Sequence, residues 1–340
     1  MTALASRSSS AGPFHNQVIY GDALTGLRTI PSGIAQTCVT SPPYFGQRDY
    51  LTRRWFGGDP TCPHEHKIEI EPRHRGQVEQ TKWRKAEGAG KGQTATTAWC
   101  SRCFGWWGQI GLEPNVEDFI EHLAEVFREV RRVLRPDGTL WVVIGDTFAR
   151  SSDCSSRGDY EKRAGKRHRA SLKSGDLMMI PAQLALALRE DGWHLRAENI
   201  WNKPNVLPSS VKDRTTVAHE HVFMLSRSRR YLYDLDAASE DAVGGGRRNR
   251  RSVWSINTRP YPGAHHAVFP TALPEICIRA GSRPGDIVLD PFAGSGTTLA
   301  VAKKLDRAFL GVEINEAYRE LIEERLREVD EERSGRIAPT

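Results

Sequence analysis

The sequence predicts an α/β fold with a mostly parallel sheet and helices on both faces. Three observations carry that expectation. Short apolar runs alternate with stretches of helical period, some runs end in turns that open a helix, and the segments interrupting this rhythm are polar, basic or glycine-rich.

The elements follow in order. Val18-Ile19-Tyr20 reads as a strand leading to Gly21-Asp22, a short helix over residues 23–28, and the strand Gln36-Thr37-Cys38-Val39. That strand stops at Thr40-Ser41-Pro42-Pro43, because consecutive prolines forbid both helix and ladder. The clearest helix follows Pro114-Asn115. Asn115 is a good N-cap, and Phe119, Leu123, Val126, Phe127, Val130 and Leu134 recur at helical spacing. Arg135-Pro136-Asp137-Gly138 should end it in a turn before the strand Leu140-Trp141-Val142-Val143-Ile144. Residues 178–188 then read as helix, 195–201 as extended chain and His221-Val222-Phe223-Met224-Leu225 as a buried strand. Finally Ile287-Val288-Leu289 runs into Asp290-Pro291-Phe292-Ala293-Gly294-Ser295-Gly296-Thr297-Thr298, a helix opens near Thr297, and Ala308-Phe309-Leu310-Gly311-Val312 ends at Glu313. This is a βαβ unit.

Three stretches break the rhythm and are read as inserts: residues 53–111, 150–176 and 234–263. Residues 1–16 read as a flexible tail. The formal charge is +6, with basic clusters over residues 157–169, 227–230 and 247–251 and an acidic segment over 313–332. Loop-borne arginines suit a polyanion, and equally a merely solvated surface. There is no run of eighteen apolar residues and no signal-peptide pattern, so a soluble, unsecreted protein without membrane contact is expected.

Phe292-Ala293-Gly294-Ser295-Gly296 follows a strand and opens a helix, the context of a phosphate or nucleoside turn as well as of a plain tight turn. Glu313 ends the next strand, where a carboxylate meets ribose hydroxyls. Asp290 beside the turn would repel a pyrophosphate, which favours a cationic ligand such as a sulfonium over a dinucleotide. Ser41-Pro42-Pro43-Tyr44 offers a rigid turn, a hydroxyl, carbonyl acceptors and an aromatic face, a set able to hold a planar ring bearing an amine. An isolated proline-stiffened turn would look the same.

Together the two segments resemble the amino-methylating DNA methyltransferases, in which a [DNS]-P-P-[YFW] motif is catalytic and F-x-G-x-G binds S-adenosylmethionine. The catalytic motif preceding the cofactor motif resembles the β-class permutation. The resemblance covers most of residues 17–329. It implies a Rossmann-like methyltransferase fold with a seven-stranded sheet, one catalytic domain over residues 17–340, and residues 234–263 as the target-recognition region. Its implied catalytic set is Ser41, Pro42, Pro43 and Tyr44. The implied cofactor-binding set is Asp22 (adenine), Glu313 (ribose), Thr40, Phe269, Asp290, Phe292, Ala293, Gly294, Ser295, Gly296 and Thr297. Asn202-Lys203-Pro204-Asn205 and Pro208-Ser209-Ser210 resemble a loop lining a target-base pocket, and Asp146 is placed either to face that pocket or to close a strand-end turn.

The reaction so implied moves a methyl group from S-adenosylmethionine to an exocyclic amine of a base flipped out of double-stranded DNA. Ser at the first motif position resembles the N4-cytosine enzymes; the alternatives are N6-adenine methylation, RNA methylation, and an inactive nucleic-acid-binding protein. Partners so implied are DNA, a second copy of the chain as a homodimer, and a restriction endonuclease acting on the same site, with a cytoplasmic location on the nucleoid.

Six cysteines without secretory signals do not form a disulfide framework. Cys62-Pro63-His64-Glu65-His66 and Cys100-Ser101-Arg102-Cys103 have the spacing of a zinc ribbon. The expected ligands of a structural Zn²⁺ are Cys62, His64, Cys100 and Cys103, with His66 as substitute; incidental cysteines in an unliganded loop are the alternative.

Overall fold

The computed structural model describes residues 14–50, 52–65, 67–70, 97–149, 172–258 and 269–336. Residues 1–13 of the expected tail, 71–96, 150–171 and 259–263 of the three inserts, and His66 lie outside the described residues.

In chain order, β1 (Gln17–Tyr20), α1 (Ala23–Thr29) and β2 (Ala35–Thr40) are followed by the short strands β3 (Arg54–Phe56), β4 (Lys67–Ile70), β5 (Thr97–Cys100) and β6 (Trp106–Gly108). Next come α2 (Val116–Val133), β7 (Leu134–Ile144), α3 (Ile180–Glu190), β8 (His194–Asn202) and β9 (His219–Ser226). Residues 234–258 hold α4 (Leu235–Ala238), β10 (Glu240–Asp241), β11 (Arg247–Arg248) and β12 (Val253–Ser255). The chain closes with α5 (Ala272–Gly281), β13 (Ile287–Asp290), α6 (Thr297–Lys304), β14 (Ala308–Glu313) and α7 (Arg319–Arg333).

The main sheet has eight strands in the order β1-β14-β13-β2-β7-β9-β8-β12, which corrects the expected seven. The extra strand is β12, a three-residue edge from the 234–263 insert and parallel to β8. The sheet is also mixed, because β9 runs antiparallel to both β7 and β8. Its reversal follows from the chain leaving β8 and returning beside it without a crossover helix. The expected turn at Arg135-Pro136-Asp137-Gly138 is a bulge inside β7: Ala35 pairs with Leu134 and Thr37 with Thr139, so the intervening residues loop out of register.

Strand alternation divides the core in two. Leu140, Val142 and Ile144 face one side with Phe119, Leu123, Phe127 and Leu184 of α2 and α3, while Trp141 and Val143 face the other with Leu273, Ile278, Leu299 and Ile322. Helix α2 starts where the Asn115 side chain accepts the Asp118 N–H at 2.7 Å, and Glu117 and Asp118 complement its positive end.

The described residues of the 53–111 insert carry strands of their own. Strands β3-β6-β5-β4 form a separate antiparallel sheet, which docks on α2 through Phe56, Trp106 and His122. Among the described residues no helix is long and apolar enough to cross a membrane.

Candidate active site

Every parallel strand of the main sheet sends its carboxyl end to the same edge, where the backbone must leave the ladder and open a crevice. A cavity of about 930 Å³ lies there, bounded by Asp22 after β1, Ser41 to Tyr44 after β2, Gly145 and Asp146 after β7, Lys203 after β8, Phe292 to Ser295 after β13, and Glu313 at the end of β14. Because β9 is reversed, its amino end reaches this edge as well and delivers His219 and Glu220.

Of the expected cofactor residues, Asp22, Phe269, Phe292, Ala293, Gly294, Ser295, Thr297 and Glu313 line the cavity. Thr40, Asp290 and Gly296 stand next to these residues and are not among those lining the cavity. Asp290 is 1 % exposed, and its Oδ1 accepts the Thr40 hydroxyl at 2.6 Å and the Phe292 N–H at 3.1 Å. Its carboxylate therefore braces the turn rather than facing a ligand. Burial pushes its pKa up to about 6, against the lowering effect of these hydrogen bonds. Gly296 takes φ 78°, the left-handed conformation that starts α6, and a Cβ there would press on Ile322 at 3.3 Å.

Glu313 is buried beside the glycine turn. Its Oε2 accepts the Gly294 N–H at 2.6 Å and its Oε1 the Asn315 N–H at 2.7 Å. Burial raises its pKa to about 7 despite those bonds, with Asp290 adding to the rise. Asp22 caps α1, accepting the Thr25 N–H on Oδ1 at 3.0 Å, while Oδ2 pairs with Arg54 Nε at 2.8 Å. At its glycine-turn end the cavity thus presents the carboxylates of Asp22 and Glu313, which suit a ligand bearing hydroxyls and positive charge. Its volume lies at the upper end of small-molecule sites, ample for a nucleoside and a second planar ring.

In the proline turn, Ser41 Oγ donates to the Tyr44 hydroxyl at 3.4 Å, and that hydroxyl donates to Glu220 Oε2 at 2.6 Å. Lys203 Nζ pairs with the other oxygen of Glu220. Burial, and next the Glu220 charge, push the Tyr44 hydroxyl well above its ordinary value, so it remains a donor. The Tyr44 ring lies against Gly145, where a Cβ would stand 2.9 Å from its Cε2. Asp146 fills both of its expected positions: it lines the cavity, and its Oδ1 accepts the Thr147 and Ile180 N–H groups at 2.9 and 3.1 Å.

Sequence reasoning missed Glu220. The signal was present in His219-Glu220-His221, a charged cluster directly ahead of an apolar strand, but only the strand's direction brings it to the site.

Cys62, His64, Cys100 and Cys103 converge, with their ligand atoms all within 4.8 Å of one another. Cys62 Sγ and Cys100 Sγ are 3.7 Å apart, and Cys103 Sγ is 3.3 Å from His64 Nδ1. Tetrahedral zinc with Zn–S bonds of about 2.3 Å places two sulfurs roughly 3.8 Å apart. Burial pushes the Cys100 thiol up, yet the Cys103 N–H, the His64 ring and the Arg102 N–H outweigh it and bring Cys100 down to about 6, toward the thiolate that binds metal. The donor set fits a zinc ion.

Three arginines of the 247–251 cluster bond to the chain just ahead of them. Arg247 donates to Ser239 Oγ and O at 2.5 and 2.7 Å, Arg248 to Glu240 at 2.9 Å, and Arg250 to Ala238 O at 3.1 Å.

A doubly covered sheet with a proline turn and a glycine turn on one cavity defines a class that comparison identifies. Residues 35–324 match the N6/N4 methyltransferase family of DNA methylases, and the chain belongs to that family. It is 40% identical over 317 residues to the type II methyltransferase M.SmaI of Serratia marcescens, covering 91% of this chain and 90% of that protein. It is 41% identical over 312 residues to M.XycI of Xanthomonas campestris pv. cyanopsidis, covering 90% and 86%. Among solved structures it is similar in fold to the PvuII DNA methyltransferase (cytosine-N4-specific), with TM-score 0.57, 18% identity and coverage of 93% and 92%. A DNA modification methylase of Thermus thermophilus, complexed with S-adenosyl-L-methionine, has TM-score 0.55, 22% identity and coverage of 92% and 94%.

Proposed function

We propose that this DNA methylase transfers a methyl group to the exocyclic N4 of cytosine in double-stranded DNA, with S-adenosylmethionine as donor. The observation that carries the reading is the meeting of Ser41-Pro42-Pro43-Tyr44 and Phe292-Ala293-Gly294-Ser295 on one cavity. Serine at the first position favours cytosine over adenine, and the fold likeness to a cytosine-N4-specific enzyme supports that choice.

When bound, S-adenosylmethionine would supply an electrophilic methyl: the base's amino nitrogen takes it with its lone pair as the methyl–sulfur bond breaks, and one N–H proton of that nitrogen is released to solvent. That lone pair is normally delocalised into the ring. Ser41 Oγ and the Pro42 carbonyl accept the amino N–H bonds, favouring a pyramidal nitrogen whose lone pair is available. Tyr44 stacks on the flipped base, and Glu220 holds the tyrosine hydroxyl so that the ring keeps its plane. Glu313 holds ribose hydroxyls of the cofactor, Asp22 its adenine, and Phe269, Phe292 and Ala293 give apolar contact. The net positive charge of the chain suits phosphate contacts, and Leu207, 84% exposed, lines the same cavity.

A structural Zn²⁺ on Cys62, His64, Cys100 and Cys103 is the second cofactor of this reading. The type II methyltransferase relatives support a place in a restriction–modification pair, with an endonuclease acting on the same sequence. The test is digestion of methylated duplex DNA to nucleosides followed by mass spectrometry. N4-methylcytosine is expected; N6-methyladenine without it overturns the base assignment.

A further inference from the structure

We propose that zinc bound by Cys62, His64, Cys100 and Cys103 holds one wall of the cofactor cavity in place, so that metal loading and cofactor affinity are coupled. The proposal rests on the reading of this cavity as the S-adenosylmethionine site.

The coupling runs through strand β3. It has only three residues, and alternation sends Trp55 to one face and Arg54 and Phe56 to the other. On the metal side, Trp55 stacks on the His64 ring at 4.1 Å and 16°, and packs on its cross-strand neighbour Trp107 at 5.4 Å. On the opposite side, the Arg54 guanidinium lies 3.9 Å over the Phe56 ring, and both residues line the cavity. Arg54 then pairs with Asp22 Oδ2 at 2.8 Å. The other Asp22 oxygen caps α1, so the metal module is latched to the first helix of the main fold through one carboxylate. That carboxylate belongs to the cavity wall.

The module needs such a fastening. Its strands are three or four residues long, and short sheets of this kind do not hold together on their own hydrogen bonds. Its turns are shaped around the ligand cluster instead. Gly58 takes φ 76°, and a Cβ there would stand 2.8 Å from Cys103 Sγ and from the Gly105 backbone; His64 itself adopts φ 53°. A zinc ion joins the turn after β3 to the knuckle after β5. By bonding His64 the ion fixes the ring on which Trp55 stacks, and so adds to the β6 pairing that sets the β3 register and aims Arg54 at Asp22.

Three measurements on the full-length protein test this. Metal analysis of freshly purified protein should give one zinc per chain. Calorimetric titration with S-adenosylmethionine should show affinity falling about tenfold or more after zinc is stripped with EDTA and recovering when zinc is returned, while helical circular dichroism is unchanged. Arg54→Ala, which keeps all four ligands, should stay zinc-loaded and bind S-adenosylmethionine several-fold more weakly; it decides the matter alone if stripped protein unfolds. Absence of zinc overturns the metal site and the coupling with it. Stoichiometric zinc with cofactor affinity unchanged by Arg54→Ala overturns the coupling and leaves the metal site standing. Untreated, zinc-loaded protein that does not bind S-adenosylmethionine overturns the cofactor reading, and the coupling falls with it.

Discussion

The Thr40 hydroxyl donates to Asp290 Oδ1 at 2.6 Å across 250 residues of sequence. Each residue ends its strand, β2 and β13, and these strands are parallel neighbours. The proline turn begins one residue after Thr40, and the glycine turn follows Asp290 in the same way. One buried bond therefore sets the spacing of the two loops. The order of the motifs along the chain is immaterial to this arrangement, since a crevice at strand ends depends on sheet neighbours rather than on chain order.

Thr40→Val keeps the shape of the side chain and removes the donor. Asp290 then loses one of its hydrogen bonds while fully buried, at a cost of about 1–3 kcal/mol. Urea unfolding should show that loss, together with weaker S-adenosylmethionine binding. A variant matching wild type in both would show that the bond does not position the loops.

Glu313 predicts a pH dependence. Its pKa rises from the ordinary 4.5 to about 7, so the folded state binds its proton more tightly than the unfolded chain does. Its contribution to stability is fully present below about pH 4.5 and is lost as pH rises through about 7. Asp290 acts in the same sense between 3.8 and about 6. Across pH 4.5 to 7.5 the melting temperature of Glu313→Gln should rise relative to that of wild type. Cofactor affinity of the wild type should tighten over the same window, because the ionised carboxylate is the better acceptor for ribose hydroxyls. A constant difference in melting temperature would remove the buried-carboxylate argument.

Glu220 predicts a separation of binding from chemistry. Glu220→Ala releases the Tyr44 hydroxyl and leaves Lys203 unpaired, while Asp22, Glu313 and the glycine turn are untouched. The expected result is kcat reduced roughly tenfold to hundredfold at unchanged S-adenosylmethionine affinity. Glu220→Gln, which still accepts the Tyr44 proton, should recover part of the rate. Gly145→Ala should resemble Glu220→Ala, because its Cβ intrudes on the Tyr44 ring. Equal loss in the Ala and Gln variants would mean that charge, rather than ring position, is what Glu220 contributes.

Much of this arrangement was legible in the sequence, for identifiable reasons. Apolar runs such as Leu140 to Ile144 mark strands because both faces of the sheet are covered, and the prolines after Thr40 mark a strand end because they have no N–H to donate. Strand direction leaves no such mark, so the reversal of β9 and the arrival of Glu220 at the cavity were hidden. Edge strand β12 has one buried residue, Trp254, too short a signal to read. Spacing revealed the cysteine–histidine cluster, but the sheet around it was not visible, since its strands are shorter than any period requires. The arginine cluster over residues 247–251 suits a polyanion or a solvated surface by composition, and the contacts of Arg247, Arg248 and Arg250 with Ser239, Glu240 and Ala238 leave no mark in the sequence.

Ser41 carries the sharpest prediction about the reaction. Its Oγ reaches the Tyr44 hydroxyl at 3.4 Å, the long end of a hydrogen bond, so reorienting it toward an incoming amine costs little. The hydroxyl oxygen retains acceptor capacity while it donates. Ser41→Ala removes that acceptor and leaves the Pro42 carbonyl as the remaining one at the amine. The expected outcome is a rate lower by roughly tenfold to hundredfold, with cofactor affinity and melting temperature close to wild type. Single-turnover methylation of duplex DNA, followed by nucleoside analysis, measures both the rate and the product. Full activity in Ser41→Ala would refute the hydroxyl's role and shift the polarising function to the Pro42 carbonyl alone. A slowed enzyme that still yields N4-methylcytosine would mean that the cavity selects the base and Ser41 accelerates the transfer.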